Sequence, residues 1–330
     1  MKAKISIITG FLVGAVLLYF AFRNIDFRSL MAVYAGVKAV YLLPFVVTAL
    51  VELLLRALRW RLLLNPSRPV RLADTFRLQA IGLALSNILP LRLGEIARAT
   101  FGAGIFGIPV LTVLSTILVE RALDVLVLFL LFAAAAWTGG LTGGFLNYGG
   151  LMWVMFAGLF AGLGALVFAD ELIAHHWLAG FFARFPRVRT VFERLAMGVK
   201  GFHSFRSGAL IMLCAVGQWL LDALNYYWMA LAFGLEGTLS AARCVALVFS
   251  GAAAASVPGM PGYFGNFEFT LSRVMKAWGV PEHVGFAFAS YTHVAVYVLI
   301  TVLGVVFIYQ MGHSVGKLWS QFSGEAGGGK

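Results

Sequence analysis

Glu120 and Asp124 stand four residues apart in an otherwise apolar run, so a helix there turns both carboxylates to one face. Two bare carboxylates so placed repel each other, and a cation must stand near them. Arg121 is adjacent in sequence but points about 100° away on an ideal helix. Arg92 and Arg98, with Glu95 between them, are better placed. A second polar set follows later in the chain. Gln218, Asp222 and Asn225 recur at i, i+4 and i+7; Ser290, His293 and Tyr297 share another face; Asn266, Glu268 and Arg273 fall at or just after a Pro/Gly knot. An ionisable group at the centre of a membrane helix costs roughly 2.5–3.5 kcal/mol on insertion scales. Any one pair, such as Glu52 with Arg56 at i, i+4, reads as a self-neutralising tie, and Arg59 and Arg61 read as side chains snorkelling to the interface. The whole set reads differently. Self-neutralising pairs are replaceable by apolar packing, so a group this large, spread over both halves of the chain, points to the lining of a polar cavity.

Two knots suggest what enters it. The first is Asn87-Ile88-Leu89-Pro90-Leu91-Arg92-Leu93-Gly94-Glu95; the second runs from Val257 through Pro258, Pro261, Gly262 and Gly265 to Glu268. A helix restarting after Pro90 or Pro261 presents free N–H groups and the positive end of its dipole, which together bind phosphate or carboxylate. Arg92 and Arg98 add guanidinium forks suited to phosphate. Gly94, Gly262 and Gly265 let the backbone approach a ligand closely. The alternative is that these prolines and glycines are packing kinks.

The elements that must position these residues are membrane helices. Hydrophobic residues make up 61% of the 330 and charged residues only 12%, against about 25% charged in soluble domains. The net charge of +11 falls in short connections beside apolar runs, where anionic lipid attracts it, rather than in a solvated stripe for nucleic acid. Cys214 and Cys244 sit singly in apolar stretches, and His175-His176 has no carboxylate cluster beside it, so neither a disulfide framework nor a metal site is expected. No cofactor is expected.

Apolar runs at 5–22, 40–60, 110–136, 150–169, 208–233 and 283–309 give about six full spans of a bilayer core roughly 30 Å thick. The first is read as a retained helix, because 19–23 lacks a small-x-small cleavage pattern. Residues 74–106 and 240–278 each read as two short apolar pieces around a knot. Arginines crowd the connections at 61–77 and 175–207, while 137–149 carries no charge. The positive-inside rule puts every basic connection and both termini in the cytoplasm only if the two broken stretches re-enter as hairpins, which brings the total to about eight membrane segments. Each half, approximately 1–136 and 150–310, then holds two spans, a broken hairpin and a closing span, as two inverted repeats would, a design common in transporters. Glu95 precedes Arg121 by 26 residues and Glu268 precedes His293 by 25. The expected fold is an all-α polytopic membrane protein: one domain over 1–320, a Gly-rich tail at 321–330, and an interfacial helix over 184–206.

Three blocks carry a resemblance over nearly the whole chain. They are Leu55-Arg56-Ala57-Leu58-Arg59-Trp60; Asn87 to Arg98 followed by Glu120-Arg121-Ala122-Leu123-Asp124; and Pro261-Gly262-Tyr263-Phe264-Gly265-Asn266-Phe267-Glu268. The second is similar to Asn-x-x-Pro-x-Arg-x-Gly-Glu-x-x-Arg with Glu-Arg-x-x-Asp. The third is similar to Pro-Gly-Gly-x-Gly-x-x-Glu, with Tyr263 in place of the second glycine. In order and at this spacing they resemble the transmembrane flippase domain of lysylphosphatidylglycerol synthases and its stand-alone relatives. The resemblance implies movement or binding of an anionic, phosphate-bearing lipid headgroup across a bacterial inner membrane. It implies no aminoacylation, since no synthase domain follows, and leaves glycolipid, polyprenyl-linked and hopanoid pathways open for the cargo.

On this reading Arg92, Arg98 and Arg121 hold the anion; Glu95, Glu120, Asp124 and Glu268 balance charge or meet an amine or hydroxyl; Asp222 or His293 is available to a coupled proton. Asn87, Pro90, Gly94, Pro261, Gly262 and Gly265 shape the binding backbone. The protein is expected to be a transporter rather than an enzyme, with a membrane lipid as its partner and no nucleic acid. A lipid-biosynthesis enzyme and further copies of the chain are candidate partners. The competing readings are a membrane-embedded transferase acting on a lipid or polyprenyl phosphate, with Glu95 or Asp124 as base, and a non-catalytic scaffold for a lipid pathway.

Overall fold

The computed structural model describes residues 26–89, 93–137, 198–257 and 260–312, with scattered single positions at 16–19 and 157–193. The runs at 5–22 and 150–169, the charge-free connection, most of the basic segment 184–206, the tail, and Pro90 and Arg92 of the first knot lie outside the described residues.

Among the described residues the regular structure is all helical. A short helix, α1 (Phe27–Ala35), starts at Asp26, whose carboxylate accepts from the N–H groups of Arg28 and Ser29. The Ser29 hydroxyl and these two amides hold the exposed Asp26 carboxyl below its ordinary range. A 3-10 turn (Ala39–Tyr41) leads into α2 (Leu42–Leu64). Then follow α3 (Leu72–Ile88), α4 (Leu93–Phe106) and α5 (Val110–Trp137). The later half holds α6 (Phe205–Phe233), α7 (Ala241–Ser256), a 3-10 turn (Pro261–Tyr263), α8 (Asn266–Ala277) and α9 (Glu282–Gln310).

Among the described residues three segments are long and apolar enough to cross a membrane: Ala39–Leu64, Phe205–Phe233 and Glu282–Gln310. They cover the runs expected at 40–60, 208–233 and 283–309 and extend each by a few residues. Helix α5 has the length for a span, about 42 Å at 1.5 Å per residue, and carries Glu120, Arg121 and Asp124 within it. Large apolar side chains such as Leu43, Leu213, Val298 and Val302 stand exposed on these helices, as lipid-facing residues do.

Both broken stretches fold back on themselves. In the first, α3 runs to Leu89, which is extended, and α4 begins at Leu93. Ser86 and Gly82 of α3 lie against Gly94, and Gly82 also lies against Arg98, so the two helices pack antiparallel. A Cβ on Gly94 would overlap the Gly82 carbonyl and Ser86. The glycine expected to admit a ligand therefore admits the neighbouring helix. In the second, Gly251 of α7 lies against Phe267 of α8, and Asn266 Nδ2 donates to the Val257 carbonyl across the turn, 3.0 Å. Gly262 and Gly265 have φ of +70° and +88°, a region that glycine enters without strain. Tyr263 has φ +64°, which puts a bulky residue in left-handed backbone. The second glycine of the resembled motif falls at this position, and the backbone explains why a glycine suits it.

The packing repeats when the halves are exchanged. Helix α2 packs along α6, which relates the halves to each other. Helix α3 packs on the closing helix of the other half, α9, and α7 packs on α5. Helices α4 and α8 each pack on the closing helix of their own half, α5 and α9. The largest core cluster, built on Phe45, Tyr226, Met229, Leu247, Leu271 and Phe288, holds α2, α6, α7, α8 and α9 together.

Candidate functional site

The polar residues separate into two groups. The first is a buried charge network on α2, α4 and α5. Arg59 Nη1 donates to Asp124 Oδ1 at 2.7 Å, and its Nη2 lies 3.6 Å from Glu120 Oε1. Arg98 Nη2 meets Glu120 Oε2 at 2.5 Å, bonds Gln79, and stacks its guanidinium 4.5 Å from the Trp60 ring. Arg121 reaches Asp124 Oδ2 at 3.2 Å and Glu95 Oε1 at 3.4 Å. Gln218 and Trp219 of α6 also donate to Asp124 Oδ1, at 2.7 and 3.2 Å. Three guanidinium groups face three carboxylates, so the network is neutral within itself.

This changes the expected role of several residues. Arg59 does not snorkel; it is fully buried, because Asp124 and Glu120 give its charge two partners inside the bundle. Arg98, expected to hold an anionic ligand, is buried and engaged by Glu120, Gln79 and Trp60. Arg121 reaches Asp124 one turn further along its own helix despite its initial direction, since a long side chain can sweep to i+3. Its side chain and that of Glu95 are about one-third exposed, at 34% and 33%.

The second group lines a cavity of about 270 Å³ between α2, α3, α6, α7, α8 and α9. Its walls are mostly apolar and aromatic, with Phe45, Trp219, Tyr226, Tyr263, Phe267 and Tyr297 among them. Its ionisable lining is Glu52, Arg56, Asp222 and His293, with Asn87 and Asn225 beside them. Arg56 gives Nε and Nη2 to Glu52, each at 2.8 Å, and its guanidinium lies 5.3 Å from the Trp219 ring. Asn87 Nδ2 donates to Thr301 Oγ1 at 3.0 Å, and Asn225 bonds Thr48. Neither Glu52 nor Arg56 stood out in the sequence from an ordinary i, i+4 tie; only the fold brings them beside Asp222, some 170 residues later.

On the cavity wall His293 Nδ1 lies 2.6 Å from Glu268 Oε1, while Glu268 Oε2 accepts the Gly265 N–H at 2.7 Å. The carboxylate thus caps α8 from its own third position, reaching back to the residue before the helix. The anion site expected at the restart after Pro261 is filled in part by the chain's own glutamate. Pro261 opens the 3-10 turn, and Gly262 leaves room for Tyr297, whose ring a Cβ there would meet at 2.6 Å. The imidazole stacks on Phe264 at 4.5 Å and lies 4.6 Å from Phe267. Of the polar residues singled out in the sequence, Asn87, Asp222, Asn225, His293 and Tyr297 line the cavity, with Glu268 behind His293. Glu95, Arg98, Glu120, Arg121 and Asp124 form the separate network.

Long apolar helices, two folded-back hairpins and charges buried in the bundle define an all-helical polytopic membrane protein. More narrowly, the chain belongs to the family of the lysylphosphatidylglycerol synthase TM region, whose model matches residues 7–304. It is similar to a UPF0104 membrane protein of Methanothermobacter thermautotrophicus, 24% identical over 302 residues that cover 82% of this chain and 85% of that one. No solved structure matches it.

Proposed function

We propose that the protein binds a phosphate-bearing lipid headgroup in the cavity between its halves and passes it from one leaflet to the other. The observation that carries this reading is the cavity itself: about 270 Å³ inside the bundle, with aromatic walls and an Arg56–Glu52–Asp222 floor. That volume approaches the roughly 300–1,000 Å³ of small-molecule sites. It suits a headgroup and is too small for acyl chains, which would stay in lipid. Arg56 keeps Nη1 for a phosphate oxygen, since its other nitrogens serve Glu52. Asp222, which makes no ion pair among the described residues, would meet a hydroxyl or amine. The anion is thus assigned to Arg56 instead of Arg98 and Arg121, whose charges are met within the network.

Membership in a family named for a phospholipid synthase supports a lipid as cargo. In this reading the two hairpins re-enter from the cytoplasmic and external faces of the inner membrane, both termini are cytoplasmic, and the protein transports without catalysis. The test is movement of a fluorescent phosphatidylglycerol in proteoliposomes, followed by quenching of outer-leaflet dye. Wild type should exceed protein-free vesicles, and Ala252→Trp, which fills the cavity from α7, should fall to the vesicle background. Undiminished movement through a folded Ala252→Trp protein would contradict the cavity as the route.

A further inference from the structure

The two halves place one carboxylate–cation pair each in the same register. Glu95 is the third residue of α4 and Glu268 the third of α8. Arg121 is the twelfth residue of α5 and His293 the twelfth of α9. Each pair ties the second limb of a broken hairpin to the closing helix of its own half, at 3.4 Å in one case and 2.6 Å in the other. The pairs differ in the cation. A guanidinium stays charged throughout the accessible pH range, whereas an imidazole gains or loses its charge between about pH 5 and pH 8.

We propose that Glu268 and His293 form a proton-binding site that sets how tightly the second hairpin is held to α9, so that movement of the cavity's occupant is linked to a proton. With neutral imidazole, Nδ1–H donates to the Glu268 carboxylate and Nε2 is the nitrogen left for the cavity. A proton arriving from the cavity binds at Nε2, and the hydrogen bond from a neutral donor to the carboxylate becomes an imidazolium–carboxylate ion pair, with both partners charged. Glu268 passes the change on, because its other oxygen holds the Gly265 N–H at the start of α8. The first hairpin, held by Arg121, has no such step.

The groups that face His293 across the cavity fit this role. Helix α2 contributes Glu52 and Arg56, and α6 contributes Asp222 and Tyr226. The turn before α8 contributes Tyr263, and α9 itself Tyr297. Helix α3 brings Asn87 there, and α1 meets α9 elsewhere, through Tyr34 on Ser290 at 2.6 Å. Glu52 is matched by Arg56. The site itself stands on geometry; its link to transport rests on the headgroup reading above.

Hydrogen exchange of the protein in phosphatidylglycerol nanodiscs, corrected for the intrinsic pH dependence of amide exchange, tests it directly. Between about pH 8 and about pH 5.5, amides at the start of α8 should become roughly five- to tenfold better protected, while those at the start of α4 stay unchanged. His293→Gln and Glu268→Gln should each abolish the difference. A wild-type profile flat with pH, or equal at both hairpins, would overturn the proposal even if neither variant folds. A pH response that persists in a folded His293→Gln protein would overturn it too. If the response is present but fluorescent phosphatidylglycerol does not move in proteoliposomes, the proton site stands and the headgroup reading fails. If the lipid moves at a rate indifferent to an imposed pH gradient, the headgroup reading stands and the link to a proton fails.

Discussion

Removing one partner from a buried ion pair leaves the other charge desolvated and uncompensated, at a cost of about 3–5 kcal/mol. Arg59 and Asp124 are such a pair, with Gln218 and Trp219 converging on the same carboxylate oxygen. Arg59→Ala should therefore destabilise the protein by about 3–5 kcal/mol in unfolding from mixed micelles. The Arg59→Ala/Asp124→Ala double variant should lose clearly less than the two single losses added together; simple additivity would show that the contact carries no coupling. The sequence displays these residues but not their assignment. Arg59 sits two residues before the basic connection that begins at Arg61, where snorkelling is the ordinary outcome, and its partner lies 65 residues away on another helix. The same holds for Arg98: an arginine beside a helix restart looks available to an anion until Glu120 and Trp60 are seen against it.

Elements were more legible than contacts. Apolar runs mark α2, α5, α6 and α9 to within a few residues, and proline and glycine mark both breaks, because these residues act on the local backbone whatever surrounds it. The nine-residue α1 is hard to read from the sequence: it lies in a connection between longer runs, and its signal is little more than the Asp26 cap. The reason for Gly94 was also hidden, since what needs the missing Cβ is the facing backbone of α3. Gly94→Leu should separate α3 from α4 and displace Arg98 from Glu120. Cysteines placed at Ser86 and Leu93 should then crosslink several-fold more slowly than in the otherwise unchanged protein. Unaltered crosslinking would mean that the hairpin does not depend on this close approach.

At the scale of the molecule, the exchangeable packing of the halves places the cavity beside the α2–α6 seam and gives each half one hairpin and one glutamate tie. The repeated spacing of Glu95 to Arg121 and Glu268 to His293 hinted at this in the sequence. The cavity and the presence of Arg56 on its wall did not show, because they depend on which helix faces meet. The two sets of buried charge differ: the α2–α4–α5 network is matched within itself, whereas the set beside the cavity pairs Arg56 with Glu52 and adds Asp222.

In the function proposed above, Arg56 holds a phosphate-bearing headgroup inside the bundle. Lipid mass spectrometry on gently purified wild type, Arg56→Gln and, as a control remote from the cavity, Arg206→Gln tests it most directly. An anionic phospholipid should be enriched over the surrounding membrane in wild type and Arg206→Gln, and reduced about tenfold or more in Arg56→Gln, the loss of a charge-assisted contact. Equal retention of that lipid by all three proteins would contradict it.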